Sequence, residues 1–309
     1  MRTRRFATAL STLCIALFAS ASSAHAATIT VCLGGSCNFT SIQAAVDAAV
    51  EGDTIVIAAG TYMLTSAISL YDKDLVIRGA VDANGRPATV LNGQNATYHL
   101  NALVQTAGTV IENLVLTNGR GSQNGAIYMF GCNGMTFRNC SVRGNQRGAI
   151  GLNSSNVTMI GCEIIDNTAT PGTSAGGGIY VAGTISLIDC VVSGNAASFS
   201  CGGIYVPSGS VVNLTRTRVC GNSAPQAAQI GQTGSGIVND LGGACVMTAC
   251  ANCPPAPCPA DFNNDGLRNG LDMTVILSNW GGSGGDVNGD GTTDGLDMTV
   301  LLSGWGACD

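Results

Sequence analysis

Charge is scarce in this chain: only 10% of its 309 residues are Asp, Glu, Lys or Arg, and Lys73 is the single lysine. The net charge of −6 argues against a nucleic-acid groove, which needs a basic stripe. So few charges, with no heptad pattern, exclude a coiled coil. Aromatic residues make up 5%. Beyond the first residues no apolar run approaches the ~20 residues that span a bilayer. A hydrophobic fraction of 45% nevertheless argues against wholesale disorder, and the length fits one large domain or two unequal ones. Glycine is the abundant residue, with 43 copies, about twice the usual ~7% share.

Residues 1–26 read as an export signal. Arg2, Arg4 and Arg5 form a positive start, Phe6 to Phe18 is mostly apolar, and Ala24-His25-Ala26 is an A-x-A cleavage site. The apolar run is too short for a retained anchor, and Cys14 lacks the small residue that precedes a lipidated cysteine. The mature chain is therefore predicted to be secreted, extracellular or at the cell surface. Cleavage would take the charge from −6 to about −9 and leave His99 as the one histidine. Thirteen cysteines would remain, which in an exported protein predicts disulfides, with at least one thiol free or paired to another molecule. Cys32 and Cys37 close a short loop and suit a local bridge. Cys245, Cys250, Cys253 and Cys258 have a spacing that zinc could use, but export and the nearby Pro254, Pro255 and Pro257 favour disulfides.

The body is repetitive. Segments ending at Asn118, Asn145, Asn167, Asn195 and Asn222 read VIENLVLTN, TFRNCSVRGN, TMIGCEIIDN, SLIDCVVSGN and LTRTRVCGN, spaced 27, 22, 28 and 27 residues apart. DLVIRG (Asp74 to Gly79) and ATVLNG (Ala88 to Gly93) look like earlier, degenerate copies. NGAIYM, RGAIGL, GGGIYV and CGGIYV recur between the later ones. Periods of this length mean a solenoid. Short β-branched runs split by Gly and Asn predict about three strands per coil, stacked as parallel sheets about 4.8 Å apart. Val142, Ile164, Val192 and Val219 should form one interior column, and Cys140, Cys162, Cys190 and Thr217 another. The cysteines suit the second column simply as small buried residues, although neighbouring coils lie within disulfide range. The asparagines should occupy left-handed corners and bond to one another up the stack.

A solenoid must cap its open ends. Ser41 to Val50 carries Ile42, Ala45, Val46 and Ala49 at helical spacing, directly before GDTIVIAAGTY. Helix, GDTIVIAAGTY, DLVIRG and the G-G-I-Y and C-x-x-x-G-N repeats together resemble the right-handed parallel β-helix proteins of the pectin-lyase-like superfamily. The GGGIY phrase is similar to the polymorphic outer-membrane-protein branch. The resemblance covers roughly Thr28 to Cys245 and implies an all-β solenoid. It leaves activity open, since the superfamily holds lyases, hydrolases, adhesins and inert passengers.

The tail carries a duplicated motif. DFNNDGLRNGLD (Asp261 to Asp272) and DVNGDGTTDGLD (Asp286 to Asp297) each place oxygen side chains at loop positions 1, 3, 5, 9 and 12, with Gly at 6. Calcium takes six to eight oxygens, and such a Gly permits the sharp turn between them. Loop 1 would use Asp261, Asn263, Asp265, the Leu267 carbonyl, Asn269 and Asp272. Loop 2 would use Asp286, Asn288, Asp290, the Thr292 carbonyl, Asp294 and Asp297. MTVILSNWG and MTVLLSGWG follow as matched short helices. The pair resembles the dockerin domain, which implies two calcium ions and a cohesin-like or other anchoring partner. Arg268 and Thr293 stand at position 8, where dockerins are normally aliphatic. Gly270-Leu271 and Gly295-Leu296 replace the Ser/Thr pairs frequent at positions 10 and 11. The predicted organisation is a signal peptide (1–26), a β-helix with an N-terminal capping helix (27–245), a Cys/Pro-rich linker (246–257) and a small calcium-binding α domain (258–309).

Catalytic signals in the body are thin. Glu163, Asp166 and Asp189 lie in neighbouring coils, with Arg138, Arg143 and Arg147 one coil before. No local carboxylate pair of the kind a hydrolase needs is evident, and Asp189 shares a corner position with Asn139 and Gly161. An enzyme of this fold would be a polysaccharide lyase or glycoside hydrolase. The more regular feature is Tyr128, Tyr180 and Tyr205: if Ile127, Ile179 and Ile204 face inward, alternation turns these rings outward. They could stack on sugars or simply form a cross-strand ladder. Two readings follow: a polysaccharide-directed module, or a non-catalytic adhesin-like β-helix displayed by the same tail.

Overall fold

The computed structural model describes residues 26–121, 125–169, 176–253, 260–263, 265–287 and 291–307. The expected signal peptide up to His25, Pro254, Pro255 and Pro257 of the expected linker, Cys258, Cys308, Asn288 and Asp290 lie outside them.

The body is a parallel solenoid with three-sided coils. One side is an eight-stranded sheet, and the other two belong to a 14-stranded sheet that wraps a corner. The strands Ile150–Ile160 and Ile179–Ile188 run through that corner, joined to each other in parallel. Each strand needs a partner above and below for its backbone groups, and a constant coil shape supplies them. The interior column is as expected: Val142 pairs with Ile164, Ile164 with Val192, and Val192 with Val219, all fully buried. Strand alternation buries every second residue, so β-branched side chains stack on their own kind.

DLVIRG and ATVLNG are two sides of one coil rather than two copies. Val76–Gly79 pairs with Val110–Glu112, and Thr89–Asn92 pairs with Leu114–Thr117. A turn at 80–88 splits them, with Asp82 accepting from the Asn84 and Arg86 amides. The insertion makes one unit look like two.

Helix α1 (Ile42–Ala48) closes the N-terminal end. Ser41 caps it by accepting from the Ala44 amide, and Ile42, Ala45, Val46 and Ala49 are buried against the first coils. It is shorter than the expected span because Ala49 is already extended. Asp53 ties its end to the first strand, accepting from the Ala27 and Val50 amides. At the other end the closure is covalent: Cys220–Cys250 and Cys245–Cys253 pin a 3₁₀ turn (Cys250–Asn252) onto the last coils. Zinc is thus not needed by these cysteines. Cys32–Cys37 is the anticipated local bridge.

Cys140, Cys162 and Cys190 are buried free thiols, as are Cys132 and Cys201. Burial pushes Cys140 and Cys190 well above the ordinary thiol range. Thr217 completes their column, donating to the Leu187 carbonyl.

Of the aligned asparagines only Asn118 takes the expected left-handed corner; Asn145, Asn167, Asn195 and Asn222 stand one residue past it. The left-handed corner belongs to Asn118, Gly144, Asp166, Gly194 and Gly221. The residues that follow them are Gly119, Asn145, Asn167, Asn195 and Asn222, and the last four point inward as a ladder. Asn145 Nδ2 donates to Asn167 Oδ1, Asn167 to Asn195, and Asn195 to Asn222, each at 2.9 Å. Each Nδ2 also donates to a carbonyl of the coil below, such as Val142 for Asn167. Gln229 ends the ladder by accepting from Asn222. At the other end Gly119 leaves a space that the His99 imidazole fills; a Cβ at Gly119 would come within 2.3 Å of its Cε1. His99 Nε2 meets the Thr117 carbonyl at 2.8 Å, while Nδ1 has no hydrogen-bond partner. Burial lowers its pKa to about 4.

In the tail, α2 (Gly270–Ser278) and α3 (Gly295–Ser303) pack through Ile276 and Leu301 over Ala260, Phe262, Met273, Val287 and Met298. Each begins with a capping box, Asn269 with Asp272 and Asp294 with Asp297. The position-8 residues cross over: Arg268 pairs with Gly306 after α3, and Thr293 exchanges backbone bonds with Gly281 and Gly282 after α2. A polar position 8 fits because the Thr293 hydroxyl is used by the Gly285 amide and the Arg268 guanidinium lies against Gly304.

Candidate functional sites

The outward aromatic column forms on the side of the coil that follows the asparagine corner. Tyr128 lies beside Gly151, Gly151 beside Tyr180, and Tyr180 beside Tyr205. The Tyr180 and Tyr205 rings are 5.8 Å apart and tilted by 31°, a favourable offset geometry. The Tyr205 hydroxyl meets Thr233 Oγ1 at 3.3 Å. Burial, with the neighbouring Tyr205 adding to it, pushes the Tyr180 phenol up. Sequence reasoning missed a second column two residues along the same strands, where Tyr71 and Phe130 are exposed. Strand alternation alone was enough to find it.

The acidic candidates do not gather around one point. Asp189 sits in the left-handed corner with Asn139 and Gly161, and both its oxygens take the Arg216 guanidinium at 2.6 Å. Asp166 occupies a corner on a different edge, before the asparagine ladder, and Glu163 is exposed on the strand between. Burial makes His99 a neutral interior group. A cavity of about 280 Å³ at the start of α1 is lined by Thr40, Ser41, Gln43, Tyr62, Thr65, Ser66 and apolar side chains, with no carboxylate.

In the tail, loop 1 is one hydrogen-bonded unit. Asp261 accepts from the Asp265 and Gly266 amides, and Asp265 accepts from Asn263 Nδ2, Asn269 Nδ2 and the Leu267 amide. Those bonds, with Asn263 first, hold the exposed Asp265 carboxyl below its usual range. Asp272 is fully buried, taking the Phe262, Asn263 and Asn269 amides. Loop 2 repeats the pattern where it is described: Asp286 takes the Gly291 amide, and the buried Asp297 takes those of Val287 and Asp294. Among the described residues, no three His, Cys, Asp or Glu side chains form a metal-holding group. Asn263 and Asn269 of loop 1 and the pair Asn288 and Asp290 of loop 2 fall outside that statement. Among the described residues, no helix is long and apolar enough to cross a membrane.

Parallel three-sided coils, stacked interior columns and capped ends define a β-solenoid. A family profile described as the right handed beta helix region matches residues 66–251, and the chain belongs to that family. No curated protein matches it. Among solved structures it is similar to ORF18 of Geobacillus virus E2, at 14% identity over 72% of this chain and 60% of that one, with a TM-score of 0.33. It is also similar to an alginate lyase from Paenibacillus sp. str. FPU-7, at 14% identity over 70% of this chain and 99% of that one, with a TM-score of 0.29. The chain spans 60% of the virus protein's length. Both likenesses are too loose to bear on activity.

Proposed function

We propose that this is an exported β-helix protein, assembled or anchored outside the cell through a dockerin-like calcium tail, that acts in polysaccharide binding or degradation. The observation that carries the polysaccharide reading is the Tyr180–Tyr205 pair on a regular, outward sheet face. Flat faces with aromatic rings and hydroxyls suit sugars, whose C–H edges stack while their oxygens take hydrogen bonds.

The calcium reading rests on the donor set. Asp261, Asn263, Asp265, the Leu267 carbonyl, Asn269 and Asp272 would hold one ion, and the matching residues of loop 2 the other. All are oxygen donors, as calcium requires. A fully buried carboxylate such as Asp272 is costly without a countercharge, and a cation in the loop would supply one. A bound ion would neutralise the acidic loops and fix both helix starts. The tail also offers apolar residues in duplicate, Leu271 with Leu296 and Trp280 with Trp305, all at least half exposed. They suit a cohesin-like or other surface partner.

Dispersed carboxylates, with Asp189 held by Arg216, favour binding over cleavage and keep a non-catalytic adhesin-like role as the second reading. Incubating the full-length protein with acidic and neutral polysaccharides, with and without calcium, separates them. Release of reducing or unsaturated ends supports an enzyme, and retention without cleavage a binding module. Neither result on any glycan rejects the polysaccharide role.

A further inference from the structure

The aromatic face has a chemical character that narrows its ligand. Its first outward column runs Asn101, Tyr128, Gly151, Tyr180 and Tyr205 over successive coils. Its second runs Tyr71, Leu103, Phe130, Asn153 and Ala182 over the same strands. Neither column contains an acidic or basic side chain. Tyr71 is 64% exposed and Phe130 48%, unusual for rings on a sheet. Arg120 and Arg147 stand at the corner before this face rather than in it, and Lys73, two residues past Tyr71, donates to the carbonyls of Val46, Asp47 and Ala49 at the end of α1.

We propose that this face binds an uncharged linear polysaccharide laid along the solenoid axis; the inference rests on the polysaccharide reading above and names its substrate class. A uronate chain would bring one carboxylate per sugar and would need Arg or Lys partners, which the face lacks. A neutral chain asks for rings to stack on and amides or hydroxyls for its oxygens, and those are what the columns supply. Coils rise by about 4.8 Å, close to the length of one extended sugar unit, so equivalent contacts recur along the chain. Gly151 leaves a gap between Tyr128 and Tyr180, beside Asn153, whose Nδ2 has no hydrogen-bond partner. A turn of that amide would present it to a sugar hydroxyl in the gap.

The test is affinity electrophoresis of the full chain, with calcium, through gels holding xylan, glucomannan or mixed-linkage β-glucan, and in parallel polygalacturonate or alginate. Retardation is expected in at least one neutral gel and in neither acidic one. Tyr180→Ala with Tyr205→Ala should weaken that binding at least about tenfold, the scale of two lost aromatic contacts. Tyr180→Phe with Tyr205→Phe should keep most of it. Phe130→Ala, on an exposed ring, gives an independent reading should the double alanine variant fail to fold, and should also weaken binding. Retardation by acidic chains alone overturns this inference but leaves the polysaccharide role standing. Neutral binding that survives the alanine and Phe130 variants overturns the site. No retardation by any glycan overturns both.

Discussion

Asn195 is the member of the amide ladder whose loss the structure prices most directly. It is fully buried and makes four ladder bonds. Its Nδ2 donates to the Ile164 carbonyl at 2.8 Å and to Asn222 Oδ1 at 2.9 Å, and its Oδ1 accepts from the Asn167 amide at 3.1 Å and from Asn167 Nδ2 at 2.9 Å. Asn195→Ala strips a partner from each of those groups and leaves a small cavity. A stranded buried polar group costs ~1–3 kcal/mol, and Asn167 Nδ2 and Asn222 Oδ1 retain other bonds, so the total should be about 4 kcal/mol. Asn195→Asp should be worse at neutral pH, because it faces two acceptor oxygens with a carboxylate; acid should relieve it as that carboxyl protonates. Repeat arrays can unfold coil by coil, so amide exchange at Asn167 and Asn145 is the direct readout, with urea unfolding alongside. Asn156→Ala, on an exposed asparagine of the neighbouring side, is the control. If Asn195→Ala costs no more than that control, the ladder is not what holds the corner.

Val192→Asp places a charge in the fully buried column and should block folding, far beyond the ~1 kcal/mol of an average substitution; a soluble protein with native circular dichroism would refute the register. The His99 pKa is lowered to about 4 in the fold against 6.5 unfolded, so its contribution is complete above pH 6.5 and is lost as pH falls towards 4. That loss amounts to roughly 3 kcal/mol, and His99→Gln should flatten this part of the stability–pH curve. Calorimetry on the full chain should find two calcium sites, and Asp265→Ala should weaken one and loosen the other through the shared Ile276–Leu301 packing. Absence of uptake from micromolar to millimolar calcium would end the dockerin reading.

Interior columns were legible because burial and strand alternation leave a strict signature: Val142, Ile164, Val192 and Val219 had only to be aligned. The asparagine ladder was legible as chemistry but not in register. Asn118 and Asn145 look equivalent in the sequence, yet one fills the left-handed corner and the other the rung beside it. Asn serves both roles, so type alone could not separate them. For the same reason His99 looked isolated; its role depends on the vacancy at Gly119, which only the fold brings near. The covalent closure at Cys220–Cys250 was hidden because thirty residues separate its partners. On the aromatic face the tyrosines stood out by repetition, whereas Tyr71 and Phe130 occur in phrases that do not repeat.

Because every coil hands the next one the same rung, corner and interior residues, the body's length is adjustable in whole steps. Excising Thr168–Asn195 would join Asn167 directly to Ala196, so that Asn167 meets Asn222 and Ile164 meets Val219, the partners that Asn195 and Val192 have now. The shortened protein would lose about 4.8 Å of height and Tyr180 with it, yet every remaining column would close. Segments of unequal length between the rung and the aromatic strand fit the same logic: four residues lie between Asn145 and Ile150 and eleven between Asn167 and Ile179. Duplication and loss of single coils could therefore lengthen, shorten or re-edge the tyrosine-bearing side while leaving the interior as it is.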